Sequence, residues 1–310
     1  MDATDRKIVL VTRKTRLQDM VVRYNTVEQA KFQAEHLGLD FSDFLAEDRT
    51  YAQALASVAE VLERHGRLQR LDRGFLPNFL FPPGCLVVVL GQDGLVANTL
   101  KYLDGQPLLA INPDPARWDG VLLPFTAEDL PKIIREVVVD RRKHREVTMA
   151  RVQTSDGQVL RAVNDLFIGV RSHVSARYEI HHDGRSERHS SSGVIVSTGL
   201  GSTGWLRSVL TGAMGVSGKV AKEAKQLREH GFPAADPRLV FSVREPFPSK
   251  WSQAEMVFGQ VQADEPLRIR SLMPENGVIF SDGIEADALD FRVGMEAVIA
   301  VDPSRGRLLL

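Results

Sequence analysis

Hydrophobic positions along this chain follow one rhythm over the first 127 residues and another beyond them. In the first stretch, short apolar runs alternate with segments whose apolar residues recur every three or four positions. Ile8-Val9-Leu10-Val11 predicts a strand, and residues 27–37 and 51–63 predict helices, the second with Leu55, Val58, Ala59 and Leu62 on one face. Residues 86–90 are apolar at every position, as in a strand covered on both sides, and residues 95–103 behind them predict a helix. Residues 107–111 predict the next strand, since parallel strands need a crossover helix between them. Strand, glycine turn, helix and strand make an α/β unit.

After about residue 127 the pattern changes. Residues 128–139 predict a helix with a charged end at 140–145, and then Val, Thr and Ile alternate with polar residues, the period of half-buried strands. Asp156-Gly157 and Asp183-Gly184 are hairpin signals, which predicts hairpins over 149–163 and 177–189. Residues 215–230 turn helical and lysine-rich, and strands return at 239–243, 257–261, 267–269, 278–280 and 297–301. The expected fold class is α/β: an N-terminal Rossmann-like domain, residues 1–127, followed by a β-rich, sandwich-like domain, residues 128–289. A C-terminal tail, residues 290–310, is expected to return to the first domain.

Composition narrows the function. Lys and Arg number 39 against 40 Asp and Glu, a net charge of −1, so no general field draws nucleic acid or an anionic membrane, and neither is expected as a partner. The longest apolar run, Cys85 to Leu90, is far short of the roughly 20 residues that span a bilayer. The N-terminal residues lack the apolar stretch of a signal peptide, and the single cysteine, Cys85, excludes an internal disulfide; a cytoplasmic location is expected. His181, His182 and His189 surround one Asp-Gly turn and are expected at an exposed hairpin tip rather than on a metal. Arg141, Arg142, Lys143 and Arg145 carry no interleaved aromatics and are expected to be a solvated helix end.

The candidate chemistry starts at Gly91-Gln92-Asp93-Gly94, which follows the buried strand and opens a helix, where backbone amides attract phosphate. There is no Walker lysine and no GxGxxG spacing. Asp93 is the distinctive residue: a carboxylate among phosphate-binding amides suits a bound Mg²⁺ or a proton taken from an attacking hydroxyl, although a plain turn and helix cap is the alternative. Ser197-Thr198-Gly199-Leu200-Gly201-Ser202-Thr203-Gly204-Trp205 reads as a loop that approaches a nucleotide closely, with Trp205 placed to stack on a base, or else as a simple surface loop. Asn164-Asp165 opens an apolar strand, where it suits ribose or adenine contacts or a turn, and Ser281-Asp282-Gly283 closes another strand.

In this order the four motifs resemble the NAD kinase family, within the wider superfamily it shares with the diacylglycerol kinases. That family's pattern is GGDGT, N[ED], a TGS[TK]-type loop and a late DG. The similarity is closest to the mitochondrial-type branch, through residues 110–115, 167–169, 175–180, 191–193 and 241–246, and it spans about residues 85 to 290. The resemblance implies an enzyme that transfers a phosphoryl group from ATP, or another donor, to the adenosine 2′-hydroxyl of NAD, giving NADP. It implies Asp93 as the general base; Gly94, Asn164, Asp165, Thr203, Trp205, Ser208 and Asp282 as NAD-binding; and Gly91, Gln92, Ser197, Thr198, Gly201 and Ser202 as the phosphate and nucleotide loops. Mg²⁺ is expected with ATP, with no metal ligands assigned, and the chain is expected to be a homo-oligomer, a dimer. Gln92 and Leu95 stand where the family has glycine and threonine, Leu200 replaces a small or hydroxyl-bearing residue, and Gly204 replaces alanine. These departures keep two alternatives open: a related kinase acting on a lipid or sugar hydroxyl, and a dinucleotide-binding protein without catalysis.

Overall fold

A computed structural model describes residues 6–217 and 222–310. Two compact units divide the chain: residues 1–145 with 307–310, and residues 146–306. The helix expected over 128–139, with the charged residues behind it, falls in the first unit.

In the first unit the elements are β1 (Lys7–Thr12), α1 (Arg16–Tyr24), α2 (Val27–His36), α3 (Phe41–Glu63), β2 (Arg67–Asp72), β3 (Leu86–Leu90), α4 (Asp93–Leu100), β4 (Pro107–Asn112), β5 (Phe125–Thr126) and α5 (Leu130–Val138). The sheet is parallel in the order β2-β1-β3-β4, with β5 and Arg307–Leu308 both paired to β4. Every residue of β3 and β4 is buried, as their unbroken apolar runs require. Tyr51, Ala54, Val58 and Leu62 of α3 and Ile133, Ile134 and Val137 of α5 share a core with Ile8, Leu10, Val88 and Ile111 of the sheet. Chain order and sheet order diverge between β1 and β3, since β2 lies on the far side of β1. Open α/β sheets bind ligands beyond the carboxyl ends of strands at such a point.

Three elements here escaped the sequence pattern, each for a physical reason. Helix α3 starts at Phe41, ten residues before its expected start, because its inward stripe includes a charged residue: Glu47 is buried and paired with Arg13 at 2.9 Å and with Arg16. A carboxylate in that stripe hides the helical period. Helix α1 buries only Leu17 and rests on a capping box between Thr15 and Gln18. Strand β2, Arg-Leu-Gln-Arg-Leu-Asp, is a polar edge strand paired on one side to β1.

The second unit holds β6 (His144–Thr154), β7 (Val159–Ala162), β8 (Asp165–Val170), β9 (Ala176–His182), β10 (Arg185–Ser191), β11 (Val194–Ser197), α6 (Trp205–Ser217), α7 (Lys222–His230), β12 (Leu239–Val243), β13 (Phe258–Val261), β14 (Leu267–Ser271), β15 (Gly277–Ser281), β16 (Ile284–Asp290) and β17 (Glu296–Leu309), whose last residues belong to the first unit. One sheet runs β10-β9-β14-β17-β6-β7 and the other β13-β12-β11-β8-β15-β16. They share a core of Tyr178, Ile180, Ile269 and Ile299 from the first and Leu166, Ile168, Val196, Phe241 and Ile279 from the second. Both expected hairpins are present. The helical stretch expected over 215–230 is α6, which starts ten residues earlier at Trp205, and α7; residues 218–221 lie outside the described residues.

The structure therefore carries the expected α/β class with a β-rich second part.

Candidate functional site

In the first unit, Gly91 leaves β3, Gln92 caps α4 through its backbone, and Asp93 is the first helical residue. Gly91 is required by packing: a Cβ there would sit 2.7 Å from Leu95 Cδ2. Leu95, at the family's threonine position, is a buried core residue here. A Cβ on Gly94 would meet nothing within 4 Å, so the opening turn of α4 is open at that point. The Asp93 carboxylate does not cap its own helix. Its Oδ1 accepts from the backbone N of Leu122 at 2.7 Å, and its Oδ2 accepts from that of Val121 at 3.3 Å. Both donors come from the segment after β4, which holds the acid in one orientation beside the positive end of α4.

In the second unit, the other motifs converge on one turn. Asp282 and Gly283 join β15 to β16 with φ of 54° and 71°, the left-handed pair of a tight hairpin. The Asp282 carboxylate accepts from the backbone N of Val163 at 3.0 Å, of Asn164 at 2.6 Å and of Asp165 at 3.2 Å, and Asp282 N donates to Asp165 O at 2.9 Å. It clamps the Asn164-Asp165 turn. Thr198 completes the clamp: its hydroxyl donates to Val163 O at 2.5 Å and its N to Asn164 O at 2.9 Å.

The glycine-rich loop has an inner and an outer half. Ser197, Thr198 and Ser202 are fully buried, and each hydroxyl donates within the protein, Ser202 to Gly199 O at 2.7 Å and Ser197 to Thr198 O at 3.2 Å. Gly201 lies so close to Asn164 that a Cβ would come within 2.2 Å of its carbonyl oxygen. These residues therefore have a structural task, seating the loop on residues 163–165. Thr203, Gly204 and Ser208 are exposed, and they are the part of the motif open to a ligand.

Asp165 is the electrostatic anomaly of this unit. The residue is half-buried as a whole, but its Oδ1 is shut off from solvent and has no hydrogen-bond partner among the described residues. Burial pushes the carboxyl up to about 7; the Ser197 hydroxyl works against this shift, and the charge of Asp282 adds to it. An aspartate in the unfolded chain loses its proton near pH 4. Below that pH the group is neutral in both states. Between about 4 and 7 the folded state keeps the extra proton, so stability falls as pH rises, and above about 7 the full penalty is in place. Asp165→Asn is expected to be more stable than the parent by about 2 kcal/mol at pH 8, the shift being discounted for partial exposure, and no more stable at pH 4. Urea unfolding at the two pH values reads this, and an equal difference at both would refute it.

Around Trp205 the structure adds residues that the sequence did not single out. The Trp205 ring stacks with Phe167 at 5.7 Å and Phe280 at 6.4 Å, and the Arg244 guanidinium lies 5.4 Å over it. A cavity of about 180 Å³ opens there, lined by Phe167, Arg171, Trp205, Arg244, Phe280 and Glu285. Trp205 and Ser208 also line a larger groove of about 710 Å³ beside Gly212 and Pro246. Planar rings with nearby guanidinium groups suit a flat, anionic ligand. No local pattern joins Phe167, Arg244 and Phe280; they meet because β8 and β15 are neighbours and α6 covers them.

The histidines correct an expectation. His189 is buried rather than at an exposed tip: its Nε2 lies 2.9 Å from Glu187 Oε2 and its ring 5.5 Å from that of Tyr178, directly across the hairpin. His182 packs edge-on against Phe241. In the basic run, Arg142 pairs with Glu136 at 3.0 Å and lies over Phe125. Among the described residues, no group of three or more His, Cys, Asp or Glu is gathered as a metal ion requires. No helix among them is long and apolar enough to cross a membrane.

Comparison with protein-family models and with curated protein sequences gives no match. Solved structures do match. The crystal structure of yeast NADH kinase complexed with NADH aligns at a TM-score of 0.58 and 17% identity, over 99% of this chain and 84% of that one. An NAD kinase from Archaeoglobus fulgidus in complex with ATP aligns at a TM-score of 0.54 and 16% identity, over 98% of this chain and 93% of that one. The chain shares the fold of these NAD kinases along nearly its whole length.

Proposed function

We propose that this chain is an NAD kinase, transferring the γ-phosphoryl group of ATP to the adenosine 2′-hydroxyl of NAD to give NADP and ADP. The observation that carries this reading is Asp93: a carboxylate at the opening of a helix, behind a buried parallel strand at the sheet's topological switch point, aimed by two backbone amides. The shared fold supports it, since the two similar proteins were solved with NADH and with ATP.

In this reading Asp93 takes the proton as the 2′-oxygen forms its bond to the γ-phosphorus and the bond to the leaving ADP oxygen breaks. Asn164 and the unpaired Oδ1 of Asp165 hold ribose hydroxyls, for which a carboxyl that keeps its proton near pH 7 is both donor and acceptor. Thr203 and Ser208 bond the adenine edge and Trp205 stacks on the ring. Asp282, Thr198 and Ser202 act through the backbone, fixing the turn and loop that present these groups. Because no metal cluster is gathered among the described residues, Mg²⁺ enters with the donor's triphosphate, where it neutralises charge.

Incubating the purified chain with NAD, ATP and Mg²⁺, and reading NADP with an NADP-specific dehydrogenase, tests the proposal. Product well above an Asp93→Asn control is expected; none above it would overturn the reading. ATP consumption with a lipid or sugar alcohol and none with NAD would reassign the acceptor.

A further inference from the structure

We propose that Asn112 and Arg117 are positioning residues for Asp93, holding the segment 113–122 so that its amides aim the carboxylate; this rests on the reading of Asp93 given above. An aspartate in the first turn of a helix has several staggered rotamers open to it. Here two donors select one, and those donors belong to Val121 and Leu122, almost thirty positions further along the chain. Whatever fixes that segment fixes the acid.

Two devices fix it. Asn112, the last residue of β4, spans the segment's bend: its Oδ1 accepts from Asp114 N at 3.0 Å, and its Nδ2 donates to Trp118 O at 2.9 Å. Arg117 ties the outside of the bend to α3, donating from Nη2 and Nη1 to the two oxygens of Asp43 at 2.6 and 3.0 Å, and from Nε to Asp114 at 3.3 Å. A two-pronged guanidinium–carboxylate pair fixes direction as well as distance, which a single ammonium does not. Gly120 then turns the chain with φ of 66°, lying so close to Asn112 that a Cβ would meet its Nδ2 at 2.6 Å. The next two amides are the ones that reach Asp93. Asn112 therefore contacts both the bend and the glycine that precedes the donors.

Burial of Leu122 and Leu123 anchors the same segment, so its place in the fold does not depend on Arg117. The Arg117 and Asp43 side chains remain 24% and 39% exposed, and ion pairs open to water add little to stability. Loss of Arg117 should consequently loosen the aim without unfolding the unit.

The test compares the full chain with Arg117→Met, Arg117→Lys and Asn112→Ala in two measurements. The first is hydrogen exchange of the Leu122 amide by NMR: faster exchange by tenfold or more is expected in Arg117→Met and Asn112→Ala, with amides in the middle of β3 and β4 unchanged. The second is NADP formation: kcat is expected to fall about 10- to 100-fold with the KM for NAD and for ATP within twofold, as a small misplacement of a catalytic group predicts. Arg117→Lys should recover part of the loss. Unchanged Leu122 exchange in both Arg117→Met and Asn112→Ala, or raised KM values with kcat intact, would overturn the proposal. If the parent chain makes no NADP, the exchange measurement still decides: lost protection supports the positioning role and removes only the kinase reading.

Discussion

Asp93→Asn should lower kcat for NADP formation by about 10³-fold, within the 10²–10⁴ range for losing a general base. The substitution conserves size, so the helix start and the burial of Leu95 and Leu122 are retained. What changes is proton affinity: a neutral amide has no lone pair basic enough to take a hydroxyl proton. One of its two positions also becomes a donor, opposed to either the Val121 or the Leu122 amide. Binding of NAD and ATP should change little, because the groups assigned to the dinucleotide are in the second unit. A steady-state assay with separate kcat and KM values, beside a thermal melt, measures this. Activity within tenfold of the parent would remove Asp93 from the chemistry.

Asp282→Ala should produce the largest loss of stability. Its carboxylate serves three backbone amides at 3.2 Å or less, and those of Val163, Asn164 and Asp165 would be left without that acceptor. Hydrogen bonds to a charged group contribute about 1.5–3 kcal/mol each. They share one side chain and partial exposure, so about 3 kcal/mol in total is expected. Alanine also has to hold a φ of 54°, which adds about 1 kcal/mol. A domain of this size should then melt roughly 10 °C lower. Asp282→Asn, which keeps one acceptor and tolerates the left-handed region, should lose about half as much. A shift below about 2 °C for the alanine variant would show that the clamp is dispensable.

The parts of the site that were legible in the sequence are those whose chemistry is local. Gly91-Gln92-Asp93-Gly94 stands out because a buried strand, a tight turn and a helix start leave a signature within ten residues. Asp156-Gly157 and Asp183-Gly184 announce their hairpins in the same way. Helix α3 was half hidden because one buried ion pair, Arg13 with Glu47, places a charge where the period calls for an apolar residue. His189 looked like a tip residue because its partners, Glu187 and Tyr178, are set by hairpin register rather than by spacing.

By itself the amino-acid order determined the α/β class, the β-rich second part and the four motifs, since strand and helix periods and turn residues act over a few positions. Tertiary structure decided how the motif residues divide their work. Ser197, Thr198, Ser202 and Asp282 turn inward to build the site, while Thr203, Trp205 and Ser208 remain open. It also decided that Asp93 is aimed by Val121 and Leu122, with Asn112, Arg117 and Asp43 behind them. A hydrogen bond is fixed by distance in space, and residues 43, 93, 117 and 122 become neighbours only when the sheet and helices of the first unit have formed.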